Sequence, residues 1–276
     1  MAIVGCGKIG KTGYVDKNID SYYKALSQSP RFDVHLFDKD PKLGNPNFAK
    51  SEPDFDVIVV AVNTEAHYEI YSQAVAKNPK LIFLEKPCGA SLEEFNKIRS
   101  LGFDRTIVNY IRRLSGDLDN IKSLITSGEI GETLHVECIY NGKLETNGCH
   151  FVDSVIYLYG PPMNFTRTDK LLTLEYPNFN CNFVNVTAKK YVEQHLHIYG
   201  NKNKIEMNQG GMEQRLYEKM DSPLGYTSLT HAMTYIGTIY DGCAHVPETI
   251  IKHLNGDTKL PSSLNDAYHT AKIIYG

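Results

Sequence analysis

The chain has 276 residues, 42% of them hydrophobic and 22% charged, with a net charge of −3 at pH 7. That length suits two modest domains and a sizeable core, and the balance is that of a soluble globular protein. The slight acidity speaks against electrostatic nucleic-acid binding, and the apolar run at 57–62 is too short to span a bilayer.

The chain opens with an apolar strand at 1–4 and passes into Gly5-Cys6-Gly7-Lys8-Ile9-Gly10. Glycines at 5, 7 and 10 give G-x-G-x-x-G where a first strand turns into a helix. Gly5 suits the tight turn, Gly7 lets a diphosphate approach the backbone, and Gly10 lets the helix pack close to the strand. A helix is expected at 20–27 and a strand at 32–37, with an extra loop turn at 12–19. Asp38 follows that strand, where an acid accepts hydrogen bonds from adenosine ribose hydroxyls. A carboxylate there repels a 2′-phosphate, so NAD is favoured over NADP, a preference that neighbouring Lys39 softens.

Further on, 57–62 is a β-branched run suited to a strand buried on both faces. Helical character follows at 65–76, a strand at 80–84, a capping-box helix at 91–99 (Ser91, Glu94) and a strand at 105–110. This alternation implies a doubly wound parallel sheet of the Rossmann type. After residue 112 the pattern changes. Helices are expected at 117–126 and 148–159, and strands at 133–140, 171–176, 181–187, 194–199 and 212–217. Three helices follow at 229–241, 247–255 and 263–275. The expected division is a nucleotide-binding domain at 1–113 and an α+β domain with a mainly antiparallel open sheet at 114–276.

Six cysteines are scattered without a C-x-x-C pair. They read as free thiols in a reducing cytoplasm, with Cys149 a small buried hydrophobe, and no metal site is expected. Met1 leads into a strand with no basic stretch, so no signal peptide is expected, and the abrupt start leaves room for missing native residues.

Ligands of a doubly wound sheet bind beyond the carboxyl ends of its strands. Glu85-Lys86-Pro87 and Asn109-Tyr110-Ile111-Arg112-Arg113 fall there. Taken alone, Arg112 and Arg113 read as a solvated pair. In the second domain, Thr146-Asn147-Gly148-Cys149-His150 and Asp153 form a third polar cluster.

With the glycine turn, Asp38, the segment 57–67 ending in His67, Glu85-Lys86-Pro87 and the Gly-x-His-x-x-Asp of 148–153, the chain resembles the glucose–fructose oxidoreductase / inositol dehydrogenase family. The resemblance implies a Rossmann domain followed by an α+β domain whose open sheet makes a homodimer or homotetramer. It implies hydride exchange between nicotinamide and a sugar, sugar derivative or cyclitol. It makes Lys86 and His150 catalytic and the bond before Pro87 cis. The cofactor set becomes Gly5, Cys6, Gly7, Lys8, Ile9, Gly10, Asp38, Val62, His67, Glu85 and Lys86. The substrate set becomes Lys86, Asn109, Tyr110, Arg112, Thr146, Asn147, His150 and Asp153. Chemically, an imidazole titrates near neutral pH and can take or give a proton. Lys86 would lie near the oxidised nicotinamide, where like charge and burial favour loss of its proton. Asp153, one helical turn beyond His150, can orient the ring. One departure is Thr146, which stands where many members carry an aspartate. It keeps open a non-redox role, as a sugar-responsive regulator or an NAD-assisted hydrolase.

Overall fold

The computed structural model describes residues 1–12, 21–51, 54–186, 191–257 and 259–276. The extra loop turn expected at 12–19 therefore lies, beyond Thr12, outside the described residues. The chain forms two compact units, one of Met1–Leu114 with Asp241–Gly276 and one of Ser115–Tyr240.

The first unit is built on five parallel strands: β1 (Ala2–Val4), β2 (His35–Phe37), β3 (Val57–Val60), β4 (Leu81–Leu84) and β5 (Thr106–Val108), in the order β2-β1-β3-β4-β5. The middle strands β3 and β4 read Val-Ile-Val-Val and Leu-Ile-Phe-Leu and are buried throughout, as a sheet covered on both faces requires. On one face Ile3, Val57, Val59, Leu81, Phe83 and Ile107 pack with Tyr22, Ala25 and Leu26 of α1 (Tyr22–Ser27). Each such large apolar side chain contributes about 1.5–3 kcal/mol when fully buried. Helices α2 (His67–Ala76) and α3 (Leu92–Ser100) pack on each other, and α2 also packs on β3 and β4. Ser91 caps α3 by accepting from Glu94 N–H at 3.1 Å, but the Glu94 carboxylate accepts from Ala90 rather than closing the expected box on Ser91. After β5 the four-residue α4 (Ile111–Leu114) ends this stretch. Its Arg112 and Arg113, expected as a solvated pair, are buried. Arg113 lies 3.3 Å from the Asp266 carboxylate, which explains how one of these charges is tolerated.

The second unit begins with α5 (Asp117–Thr126) and contains α6 (Cys149–Tyr159) and an eight-stranded sheet. Its strands are β6 (Thr133–Tyr140), β7 (Asn164–Arg167), β8 (Leu171–Glu175), β9 (Asn180–Asn185), β10 (His195–Gly200), β11 (Lys204–Asn208), β12 (Glu213–Asp221) and β13 (Thr227–Ile236). The order is β13-β12-β11-β10-β6-β9-β8-β7, antiparallel except for β6 beside β9. Alternation puts Val136, Cys138, Leu196, Ile198, Ile205 and Met207 on the buried face, and polar side chains such as Glu137, His195, His197 and Glu206 on the other. The helix expected at 229–241 is replaced by β13, a correction with a clear cause. Residues 227–236 carry three threonines with Tyr235 and Ile236 among weaker strand formers, and they pair along the length of β12. β7 and β11 add strands where none was expected.

Residues 241–276, assigned from sequence to the second domain, belong instead to the first unit. Cys243, with Val246 and Ile250 of α7 (His245–Leu254), joins the Ile3 and Phe83 core, and α7 packs on α1. Helix α8 (Leu264–Tyr275) packs on α3 and β5, with a full capping box from Ser263 and Asp266. Among the described residues no helix is long and apolar enough to cross a membrane.

Candidate functional site

In the first unit β1 has β2 on one side and β3 on the other, so the turn after β1 sits at the point where the strand order reverses. The three glycines of that turn meet three different environments. Gly5 has φ +93°, and a Cβ there would lie 2.5 Å from Ala61 O at the end of β3. A Cβ on Gly10 would overlap the carbonyl oxygen of Gly5, so this position holds the turn closed. Nothing lies within 4 Å of a Cβ built on Gly7, leaving its backbone open to an incoming group. The chain then makes a single π-helical turn at Lys8–Thr12, with Lys11 N–H donating to Gly7 O at 2.9 Å. Ile9 packs against the core.

Asp38 fastens this turn from the end of β2. Its Oδ2 accepts from Cys6 N–H at 2.6 Å and its Oδ1 from Asp40 N–H at 2.9 Å. A carboxylate has about four acceptor positions, so capacity for ligand hydroxyls remains. The Cys6 thiol is buried and donates to Phe37 O at 3.4 Å. Burial, and then the Asp38 charge, push it up to about 11, so it stays a thiol near neutral pH. A cavity of about 570 Å³ opens beside the turn, lined by Gly5, Gly7, Asp38, Lys39, Val62 and Asn63 among others. Its remaining wall includes Asn45, Asn47, Phe48 and Lys50, which the sequence reading did not single out. Asn45 bridges to Phe37 as a parallel extension of the sheet, which brings the segment into the cavity wall. The Asn45-Pro46-Asn47 turn signal was the clue available in sequence.

Two further strand ends carry the other candidates. Lys86–Pro87 is a cis peptide after β4. Glu85 Oε1 accepts from the Tyr22 hydroxyl and, at 2.7 Å, from Asn109 Nδ2, which also donates to Tyr22 Oη at 2.6 Å. Tyr22 is wholly buried, and burial, followed by the adjacent Glu85, raises its phenol well above the ordinary tyrosine value. It is therefore a fixed donor holding Glu85. Sequence gave no sign of this partner, which lies 63 residues away. His67 is buried, with Nδ1 3.1 Å from Cys88 O and Nε2 3.1 Å from Val62 O. Its ring ties the loop after β3 to the loop after β4, so it acts through those loops. Tyr110 and Arg112 are both buried just beyond β5.

In the second unit a π-helical turn at Leu144–Gly148 leads into α6. Thr146 is exposed there, while Asn147 Nδ2 donates to Asn141 O at 2.8 Å and holds the turn. His150 sits in the first turn of α6, and Asp153, one turn on, is fully buried, as is Cys149. The turn and helix thus bring Thr146, Asn147, His150 and Asp153 into one segment, while Gly5, Gly7, Asp38 and Val62 share the cavity of the first unit.

Comparison with known proteins agrees with this geometry. Residues 1–101 match the model of an oxidoreductase family with an NAD-binding Rossmann fold. The chain is 29% identical over 102 residues to inositol 2-dehydrogenase of Rhodococcus jostii, an alignment covering 36% of this chain and 28% of that one. The curated relatives are matched over only 26–37% of their own length. Among solved structures, a protein assigned as an NADPH-dependent oxidoreductase from Desulfitobacterium hafniense superposes with a TM-score of 0.76 at 15% identity, covering 99% of this chain and 92% of that one. An oxidoreductase from Agrobacterium radiobacter in complex with NAD+, L-tartaric acid and magnesium gives 0.68 at 17%, covering 99% and 93%. At such identities the likeness is one of fold.

Proposed function

Since this chain belongs to the glucose–fructose oxidoreductase / inositol dehydrogenase (Gfo/Idh/MocA) family, we propose that it is an NAD-dependent dehydrogenase acting on a hydroxyl or keto carbon of a sugar, sugar derivative or cyclitol. The observation that carries this is the glycine turn. The Cβ position of Gly7 is open, and the turn borders a cavity with Asp38 on its wall. Those residues fit a dinucleotide: a backbone a diphosphate can reach and an acid for the ribose.

The cofactor supplies hydride acceptance and donation. The chain's part is to hold it and to manage one proton. In this proposal Gly5, Gly7 and Gly10 shape the diphosphate turn, and Asp38 both braces that turn and accepts from the ribose, favouring NAD over NADP. Glu85, held by Tyr22 and Asn109, fixes the backbone from which Lys86 projects. Lys86 and His150 exchange the substrate proton, with Asp153 steadying His150 and with Asn109, Tyr110, Arg112, Thr146 and Asn147 contributing to substrate recognition. The protein works as a homodimer or homotetramer in the cytoplasm.

The test is incubation with NAD and a panel of cyclitols, sugars and nucleotide sugars, following absorbance of the reduced cofactor. General acid–base groups contribute about 10²–10⁴-fold, so Lys86→Ala should lose turnover by that factor and still bind NAD. Unchanged turnover removes Lys86 from the mechanism. Tight NAD binding without net reduction on any substrate favours the second reading, a non-redox member of the family. The feature behind that reading is exposed Thr146, an aliphatic alcohol unable to act as a base near neutral pH.

A further inference from the structure

We infer that the second unit carries a binding site for a divalent transition metal of the zinc type on the polar face of its sheet, formed by Glu137, His195 and His197. Register makes the cluster. His197 on β10 lies directly opposite Glu137 on β6, and His195, two residues earlier, shares its face. One ligand atom from each of the three lies within 4.8 Å of the others. The two imidazoles stack with centroids 4.3 Å apart and planes 12° from parallel.

The hydrogen bonds around the rings are those a metal site needs. His195 Nδ1 lies 2.9 Å from Glu193 Oε1, and His197 Nε2 lies 3.0 Å from Asn208 Oδ1. Both partner oxygens can only accept, so a neutral ring donates that N–H and can offer its other nitrogen to an ion. Such outer acceptors fix the tautomer and raise ligand basicity at known sites. The local charge also favours a cation. Glu137 and Glu193 place two carboxyl groups beside the rings, while Glu206, opposite His197 on β11, pairs with Lys204 at 2.6 Å and accepts from the Tyr217 hydroxyl at 3.0 Å.

Two imidazoles and a carboxylate form a borderline N/O donor set that suits Zn²⁺, with a fourth position left to water. A tetrahedral ion with bonds of about 2.0–2.2 Å holds its ligands roughly 3.3 Å apart, so the side chains close by at most about 1.5 Å. Rotation of partly buried side chains supplies that. The six cysteines, which would otherwise compete for zinc, are all buried. This site is independent of the oxidoreductase reading, and nothing in the sequence spacing alone announces it, because Glu137 lies far from the histidines along the chain.

The experiment is a calorimetric titration of Zn²⁺ into the metal-free full chain, with Co²⁺ absorption spectra as a second readout. Expected are one saturable ion per chain and an intense, four-coordinate Co²⁺ spectrum that Zn²⁺ bleaches. His195→Gln and Glu137→Gln should each weaken Zn²⁺ binding by at least about 10-fold, and Glu193→Gln by about 10–100-fold, the usual effect of losing an outer acceptor. The proposal is overturned by the absence of saturable binding, by a weak six-coordinate Co²⁺ spectrum, or by binding unchanged in His195→Gln and Glu137→Gln. The Co²⁺ spectrum is read on the unaltered chain, so the test survives a variant that fails to fold.

Discussion

Gly7 and Gly10 stand three residues apart in one turn, and the structure assigns them opposite sensitivities. At Gly7 an added methyl meets no atom within 4 Å, and its φ is not in the left-handed region. Gly7→Ala should therefore leave the fold intact, or stabilise it by about 0.4–1 kcal/mol by restricting the unfolded chain. With a diphosphate against that backbone the same methyl intrudes. If the intrusion costs what overpacking costs in a core, about 1–3 kcal/mol, NAD affinity falls by roughly 5–150-fold. Gly10→Ala should behave inversely, because its Cβ overlaps Gly5 O and lies 2.9 Å from Gly5 C. The turn cannot hold its closed form, and stability falls by that overpacking cost or more. Fluorescence titration of NADH alongside thermal denaturation separates the two effects. Should Gly7→Ala, and the bulkier Gly7→Val, bind NADH as tightly as the parent, the diphosphate does not lie on this turn and the reasoning fails.

Asp38→Ala removes both the ribose acceptor and the brace on Cys6 N–H. The ratio of NADP to NAD affinity should rise about 10-fold or more, corresponding to about 1.4 kcal/mol, measured by parallel titrations. Tyr22→Phe strips the buried hydroxyl from Glu85 and Asn109 and should cost about 1–3 kcal/mol by chemical denaturation. Asp266 gives a pH signature. Burial alone would raise its carboxyl, but the Ser263 hydroxyl and N–H and the Arg113 charge outweigh burial and hold it below the ordinary aspartate value. A depressed folded value stabilises above the unfolded one and loses that contribution as pH falls through the folded value. The stability gap between the parent and Asp266→Asn should thus be largest near about pH 7 and close through the acid range, and a gap that widens on acidification would sink the assignment.

Much of the first unit could be read from sequence because its signals are local. An unbroken β-branched run marked β3, a short apolar run marked β4, and Ser91 marked the start of α3. The glycines marked the turn because each answers to a backbone constraint rather than to a distant partner. What sequence missed depended on pairing. The run at 227–236 contains Ala, Met and Leu, which suit a helix, yet the open edge of β12 recruits it as a strand. Arg113 read as a surface cation because its partner, Asp266, lies near the other end of the chain. For the candidate site, Asp38 and the cavity wall at Val62 were legible, whereas Tyr22, Asn45 and Phe48 became visible only once the sheet had placed them.

The return of the last segment to the first unit reverses the order of synthesis and completion. When a ribosome has added residue 240, everything in the second unit has been made, yet the sheet begun at Ala2 still lacks Val246 and Ile250 over one face. That nascent protein carries a bare, sticky wall until α7 and α8 emerge, the kind of surface on which chains clump. An expression fragment stopped at 114 or at 240 inherits the same exposed wall. A fragment that deletes 115–240 and joins the flanking pieces by a flexible tether keeps it covered, and is the one to make if the nucleotide half is wanted alone.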